Sequence, residues 1–326
     1  MASVTHSALR RALLYVPASS QKMLKKSLTF SLTDNVTYDL EDSVTAQNKH
    51  SARVALKEHL IEHPSRPPAV SELAVRINSV STPHALQDLT VLASLPNVDA
   101  IVVPKVNSAS DLTFVTDVLR HVAPKRHSSV PKEEGGPGPI KLIALIESAR
   151  AVMDLKDICS ASPYLDGLIF AAEDFALDMN LTRTPSLSEF AYARSAVATA
   201  ARAFGLASTI DLVCTAYKGQ EGIARLAEEC RNGRQLGFNG KQCIHPNQVK
   251  VAQAMFAPSE DEVNWAVRVV VADEKAEAAG RGAWTLDGKM IDAPVSGKAR
   301  AVVEKAKRCG FDIDSLREKW QDEEPE

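Results

Sequence analysis

Lys141-Leu-Ile-Ala-Leu-Ile146, running into Glu147-Ser148, and Gly167-Leu-Ile-Phe170, running into Ala171-Ala172-Glu173-Asp174, are the stretches on which the fold turns. Each is a near-continuous apolar run, long enough for one strand and too short for a buried helix. A strand covered on both faces reads this way, as in a parallel sheet flanked by helices. Each run ends in a carboxylate. In an α/β barrel the carboxyl ends of the strands form the floor of the active site. Two acids delivered there by consecutive strands can share one hard divalent cation, and Mg²⁺ favours one or two carboxylates with its other positions open to water or substrate. Either acid alone reads as a cap on the next helix, since acids sit well at helix N-termini. Their repetition in the same topological place favours a metal pair, Glu147 and Asp174.

Working outward, the same strand-then-helix rhythm recurs. Arg11-Ala-Leu-Leu-Tyr15-Val-Pro17 predicts a first strand, followed by a helix carrying Lys22, Lys25 and Lys26. Val36-Thr-Tyr-Asp39-Leu-Glu41-Asp42 predicts a strand closing in acids, then a helix from about Gln47 to Glu62. Leu73-Ala-Val-Arg76-Ile-Asn78 and Ala100-Ile-Val-Val-Pro-Lys105 follow, each trailed by a helix. The stretch 124–139, rich in Pro, Gly and charge, breaks the rhythm and reads as a mobile surface loop, an insertion without function. After the two opening strands come a helix from Ser188 to Phe204, a seventh strand at Thr209–Val213 and an eighth at Lys241–Pro246. Eight such units in about 255 residues match a (β/α)8 TIM barrel. A doubly wound open sheet is the alternative, but no Gly-x-Gly-x-x-Gly follows any strand.

Residues 1–257 are thus expected to form the barrel and 258–326 a helix-hairpin-helix segment, a C-terminal lid. Its Asp287-Gly288 turn lies between apolar flanks, a hairpin signal. This appendage reads as too thinly apolar to fold alone, with an acidic tail that frays.

The 326 residues carry a formal net charge of −3, so no global basic field points to nucleic acid or an anionic membrane. No apolar stretch approaches a membrane span. The five cysteines are scattered without a Cys-x-x-Cys pair, which argues against a disulfide framework or structural zinc and suits a reducing compartment. The expected location is cytoplasmic. The Arg-bearing, acid-free start would also suit a mitochondrial presequence.

The strand ends share a polar bias: Tyr15; Asp39, Glu41 and Asp42; Arg76 and Asn78; Lys105; Glu147; Asp174; Asp211; His245. The set suits an anionic substrate held through a metal, with acids for the cation and Arg76 for a carboxylate or thioester oxygen. No Gly-x-Ser-x-Gly elbow or His-Glu-x-x-His is present. Lys105 has the chemistry of a Schiff-base lysine, but a metal already supplies an electrophile. His245 reads equally as a backbone-bonded rim residue and as a substrate contact. Lys22 and Lys26, one turn apart, are either a solvated face or point charges for phosphates.

These pieces together resemble the citrate lyase β-subunit-like family, which includes malyl-CoA and citramalyl-CoA lyases. The resemblance rests on Arg10–Pro17, Asp39-Leu-Glu-Asp-Ser-Val44, Val75-Arg-Ile-Asn78, Val103-Pro-Lys105, Ile146-Glu-Ser148 and Ala172-Glu-Asp-Phe175. It continues through Tyr192-Ala-Arg194, Gly237-Phe-Asn-Gly-Lys241, Ile244-His-Pro-Asn-Gln248 and Gly288-Lys-Met-Ile-Asp292, in family order and over almost the whole chain. It implies a TIM barrel with a C-terminal lid, usually trimeric, that makes and breaks a carbon–carbon bond in a hydroxyacyl thioester. It further implies Glu147 and Asp174 as Mg²⁺ ligands and Arg76 on the substrate oxygens. Tyr15, Lys22 and Lys26 then match the coenzyme A contacts, and Ile244 with His245 another substrate contact. Asp292 matches the catalytic acid/base, supplied by the lid of a neighbouring subunit.

The chain departs from the family pattern in three places. Ala18 and Ala171-Ala172 replace glycines, where a Cβ narrows the space beside a ligand. Cys214-Thr-Ala-Tyr-Lys218 replaces aromatic and acidic residues. The expected activity is Mg²⁺-dependent cleavage of a hydroxyacyl-CoA to acetyl-CoA and a 2-keto acid. Citramalyl-CoA is ranked first, with malyl-CoA and a citryl thioester as options. Mn²⁺ would fit the same oxygen ligands. The alternatives are an aldolase on free hydroxy-keto acids and an acyl-CoA binder without turnover.

Overall fold

A computed structural model describes residues 9–127 and 138–326. Eight parallel strands close into a barrel in sequence order: β1 (Ala12–Pro17), β2 (Thr33–Asp39), β3 (Val70–Arg76), β4 (Ala100–Val103), β5 (Lys141–Ile146), β6 (Leu165–Phe170), β7 (Ser208–Asp211) and β8 (Gly240–Cys243). Closure comes from β1 pairing β8, Leu13 opposite Gln242. Gly240 permits it: a Cβ there would lie 2.0 Å from the Arg10 carbonyl oxygen.

The decisive runs are β5 and β6, and both are buried throughout except Lys141 at the first position of β5. Their side chains alternate between two apolar surfaces, as strand geometry requires. Ile143, Leu145 and Ile169 point into the barrel and pack with Leu13, Ala74, Ala100, Val102 and Ile210. Toward the other end of the strands a buried polar layer fills the barrel. Arg10 there bonds Glu72 (2.7 Å), Asp166 (2.5 Å) and Ser208 (2.8 Å). Each of these buried charges is paired, which offsets much of its desolvation cost.

Several strand limits differ from expectation. β2 stops at Asp39, leaving Glu41 and Asp42 in the turn, where Glu41 N–H bonds Asp39 Oδ1 at 2.9 Å. Strands β7 and β8 end at Asp211 and Cys243, before the residues that form loops over the mouth. The Ser188–Phe204 helix starts as a 3-10 turn, and its α-helical part is Ala191–Ala203. The stretch 124–139 opens with a helical turn, Pro124–His127. The rest of that expected loop, 128–137, lies outside the described residues.

A second compact unit begins at Ala254. It contains the helix Glu260–Ala278, a hairpin of β9 (Trp284–Leu286) and β10 (Lys289–Ile291), and the helices Ala293–Arg308 and Ile313–Lys319. Asp287 and Gly288 both have positive φ (50° and 71°), as a tight two-residue hairpin turn demands. Two apolar clusters, one around Val269, Trp284 and Ile291 and one around Val263, Val267 and Ile313, give the unit more core than its composition suggested. Its tail is tied down rather than frayed. Glu326 exchanges two 3.0 Å backbone bonds with Thr285, and Arg268 holds Glu323. Among the described residues no helix is long and apolar enough to cross a membrane.

Candidate active site

The carboxyl ends of the strands surround a cavity of about 430 Å³. Its polar lining includes Tyr15, Asp39, Asp42, Arg76, Asp174 and Gln242, together with Ser43 and Glu173. Each reaches it by topology: Tyr15 is on β1, Asp39 ends β2, Arg76 ends β3, and Gln242 is on β8. Asp174 lies in the first turn of the helix Ala172–Asp178, directly after β6.

Arg76 is clamped by Asp39 through two parallel hydrogen bonds of 2.7 Å. Its remaining edge faces Glu41 (3.1 Å) and Asp42 (3.4 Å), and its guanidinium stacks 4.6 Å from the Tyr15 ring centre. Burial alone would raise the Asp39 carboxyl. The two bonds from Arg76 outweigh it, and Asp39 lies below the usual carboxylate range. Tyr15 donates to Gln242 Oε1 at 3.0 Å, and burial pushes its phenol up.

Glu147 follows β5 directly and is buried. The backbone N–H of Lys105 donates to its Oε1. Lys105 itself has φ of 52°, a left-handed conformation uncommon for a residue with a Cβ. From there its ammonium spans to Asp174 Oδ1 (3.2 Å) and Glu41 Oε1 (3.0 Å). Glu147 and Asp174 are thus drawn to one residue. Burial pushes the Glu147 carboxyl up to about 8. The Lys105 charge opposes this, while Asp174 and Glu41 add to it. Burial likewise raises Glu41, and its Oε2 makes no hydrogen bond despite the nearby guanidinium.

The mouth therefore gathers five carboxylates (Asp39, Glu41, Asp42, Glu147, Asp174) around two cations, Arg76 and Lys105. Excess negative charge, a buried acid and an unbonded buried carboxylate oxygen fit a divalent cation. Among the described residues no group of three or more His, Cys, Asp or Glu side chains has metal-holding geometry. A two-carboxylate set with other positions left to water and substrate is the arrangement Mg²⁺ accepts.

The remaining candidates divide between the cavity and its surroundings. Ile244 lines the cavity. His245 stacks on Tyr217, ring centres 5.3 Å apart, and its Nδ1 accepts from Asn247 N–H. Lys22 and Lys26 are exposed on the helix Gln21–Ser27 after β1. Asp292 belongs to the second unit, where it caps the helix Ala293–Arg308 by accepting from Val295 N–H at 3.2 Å. Two members of the polar strand-end set have structural partners instead. Asp211 is fully buried against Arg194 (2.7 Å), and Asn78 bonds Asp88 (2.7 Å).

Sequence reading passed over Gln242 and Arg183. Gln242 alternates inward on β8, a period-2 signal that was available. Arg183 pairs with Glu173 and bonds the Val213 carbonyl at 3.0 Å, tying the loops after β6 and β7 together. No local pattern marks it.

Comparisons with known proteins converge on this architecture. A family profile described as HpcH/HpaI aldolase/citrate lyase matches residues 11–246. The citrate lyase subunit beta of Leuconostoc mesenteroides subsp. cremoris is 35% identical over 306 residues, covering 93% of this chain and 95% of that one. The mitochondrial citramalyl-CoA lyase of Homo sapiens is 33% identical over 303 residues, covering 90% and 84%. Among solved structures, the protein CitE of Mycobacterium tuberculosis in complex with magnesium, acetoacetate and coenzyme A superposes with a TM-score of 0.70 at 28% identity, covering 92% of this chain and 99% of that one.

Proposed function

The chain belongs to the HpcH/HpaI aldolase/citrate lyase family, and from that premise we propose that it cleaves citramalyl-CoA to acetyl-CoA and pyruvate. It is a carbon–carbon lyase of the Mg²⁺-dependent, CoA-ester class. The observation that carries the reading is the convergence of Glu147 and Asp174, from adjacent strands, on the same Lys105 beside a cavity walled by Arg76.

Glu147 and Asp174 would hold Mg²⁺. When bound, the ion supplies a Lewis acid toward the oxygens of the keto-acid half. Arg76, fixed by Asp39, would hold the thioester oxygen. During cleavage the hydroxyl would give up its proton to the Asp292 carboxylate as the new carbonyl forms. The bonding pair passes to the α-carbon of the departing acetyl-CoA enolate. The enolate oxygen then gains charge beside the Arg76 guanidinium, where fixed donors stabilise it best. Asp292 would protonate the enolate carbon, and would remove that proton in the condensing direction. In this reading it comes from the lid segment of a neighbouring subunit in a homotrimer. Lys22 and Lys26 would receive the phosphates of coenzyme A, with Tyr15, Ile244 and His245 completing the substrate contacts. A free hydroxy acid would need no such lysines.

Formation of acetyl-CoA and a 2-keto acid in equal amounts from citramalyl-CoA, malyl-CoA or citryl-CoA tests the reading. Cleavage of free hydroxy-keto acids alone would assign the aldolase instead. Thioester binding without either product would assign the non-catalytic binder.

A further inference from the structure

Asp174 rides on a short helix, Ala172–Asp178, of seven residues. A helix of this length is marginal without outside contacts. Ala171 stands at its N-cap, where alanine offers no oxygen to the free backbone N–H groups. Ala172, Phe175 and Ala176 bury its inner side, but apolar burial is not directional. Polar tethers therefore fix where its ends lie. At the last residue, Asp178 accepts from Ala149 N–H at 2.7 Å. In the first turn, directly before Asp174, Glu173 pairs with Arg183.

Arg183 differs from an ordinary surface partner. Its side chain is only 16% exposed, and its guanidinium joins three parts of the barrel. Nη1 meets Glu173. Nη2 donates to the Val213 carbonyl (3.0 Å), just beyond β7, and to Glu229 Oε1 (3.1 Å) on the helix Gly219–Gln235. Glu229 is buried and also accepts from Arg225 (3.2 Å) and from Lys241 on β8 (3.1 Å). One guanidinium thus refers the first turn of the Asp174 helix to the loop after β7 and to a buried ion network. A planar fork of fixed donors can do this, and a flexible ammonium cannot reproduce it.

We propose that Arg183 is a positioning residue for the metal site: by fixing Glu173 it holds the first turn of the helix, and with it Asp174, where the cation is bound. This rests on the reading of Asp174 as a Mg²⁺ ligand. The charge of Arg183 would act in the opposite sense, since a cation repels a cation. The two effects can therefore be told apart by sign.

The test measures Mg²⁺ affinity by titration calorimetry, with metal-free melting temperatures, in wild type, Arg183→Met, Glu173→Gln, Glu173→Ala and Asp174→Asn. Arg183→Met leaves Glu229 with Arg225 and Lys241, so no buried acid is stranded and the variant should fold. Its Kd for Mg²⁺ is expected to rise about 10-fold, the lower end for losing a group that orients a metal ligand. Glu173→Gln and Glu173→Ala lose the same charge, but only glutamine keeps an oxygen for Arg183. Alanine should therefore bind Mg²⁺ more weakly than glutamine by about threefold or more, and this pair carries the test if Arg183→Met does not fold. Mg²⁺ bound by Arg183→Met as tightly as by wild type or more tightly, whatever its melting temperature, overturns the inference. Equal Kd values for the two Glu173 variants overturn it as well. In both cases weakened binding by Asp174→Asn leaves the metal site standing. Unchanged affinity in Asp174→Asn overturns the reading of Asp174 as a ligand, and the inference falls with it.

Discussion

Lys105 Nζ lies 3.2 Å from Asp174 Oδ1, and the backbone N–H of the same lysine holds Glu147. One residue, kept in a left-handed conformation, thereby sets the two proposed metal ligands against each other. Replacing either ligand should separate metal binding from folding. Glu147→Gln and Asp174→Asn are expected to weaken Mg²⁺ binding at least about 10-fold and to lower thioester cleavage by ~100-fold or more. Glu147→Gln should leave the metal-free protein no less stable, since it removes an acid that burial and two neighbouring carboxylates disfavour. Titration calorimetry and thermal melts without metal check both halves.

Asp39 and Arg76 form the most buried ion pair at the mouth. Breaking it with Asp39→Asn should cost about 2 kcal/mol at pH 7, the range for hydrogen bonds to a charged group. The sign with pH follows from the lowered carboxyl. A depressed acid adds stability above its unfolded value of about 3.9, and that stability is lost as pH falls through its folded value. The stability gap between wild type and Asp39→Asn should therefore be full at neutral pH and shrink below about pH 4. Urea unfolding at a series of pH values measures it.

Asp292 has two candidate roles, a helix cap and a proton donor, and two substitutions separate them. Asparagine retains capping, whereas alanine loses it at about 1 kcal/mol. Asp292→Asn is expected to keep its melting temperature while losing ~100-fold or more in kcat, the scale of a missing general acid. If both variants cleave thioester at the wild-type rate, Asp292 is a cap and nothing more.

Lys22 and Lys26 are exposed, so their removal should leave the fold intact. The double variant Lys22→Ala, Lys26→Ala should raise KM for a CoA thioester about 10-fold with kcat within about threefold, the pattern of lost uniform binding. The wild-type KM should rise with salt and the variant's less so, because exposed charge contacts are screened. Steady-state kinetics at two ionic strengths decide it.

How far the sequence could be read follows from the kind of signal each residue leaves. Buried strands such as β5 and β6 announce themselves because both faces need apolar side chains, and the acids after them stand out against that background. The barrel, and the placement of Glu147 and Asp174 just after β5 and β6, were legible for that reason. Asp211 shows the limit. It ends a strand and carries charge like its neighbours, yet it is buried against Arg194, a partner 17 positions earlier that no local pattern links to it. Arg183 is opaque in the same way, since its value lies in joining two loops that meet only in the closed barrel. The left-handed Lys105 was also hidden, because glycine, not lysine, is the residue whose presence flags positive φ. Asp292 emerged only through resemblance, and its position as a helix cap gives any sequence-based reading an adequate structural reason for an acid there.

The most direct test of the central claim is the rate of acetyl-CoA release from citramalyl-CoA by the purified protein, measured with Mg²⁺, then with excess chelator, then with Mg²⁺ restored. Release that stops with chelator, returns with the ion and is absent from Glu147→Gln is the expected result. Release that continues unchanged in chelator, or an unchanged rate in Glu147→Gln, would contradict a metal-assisted lyase built on Glu147 and Asp174.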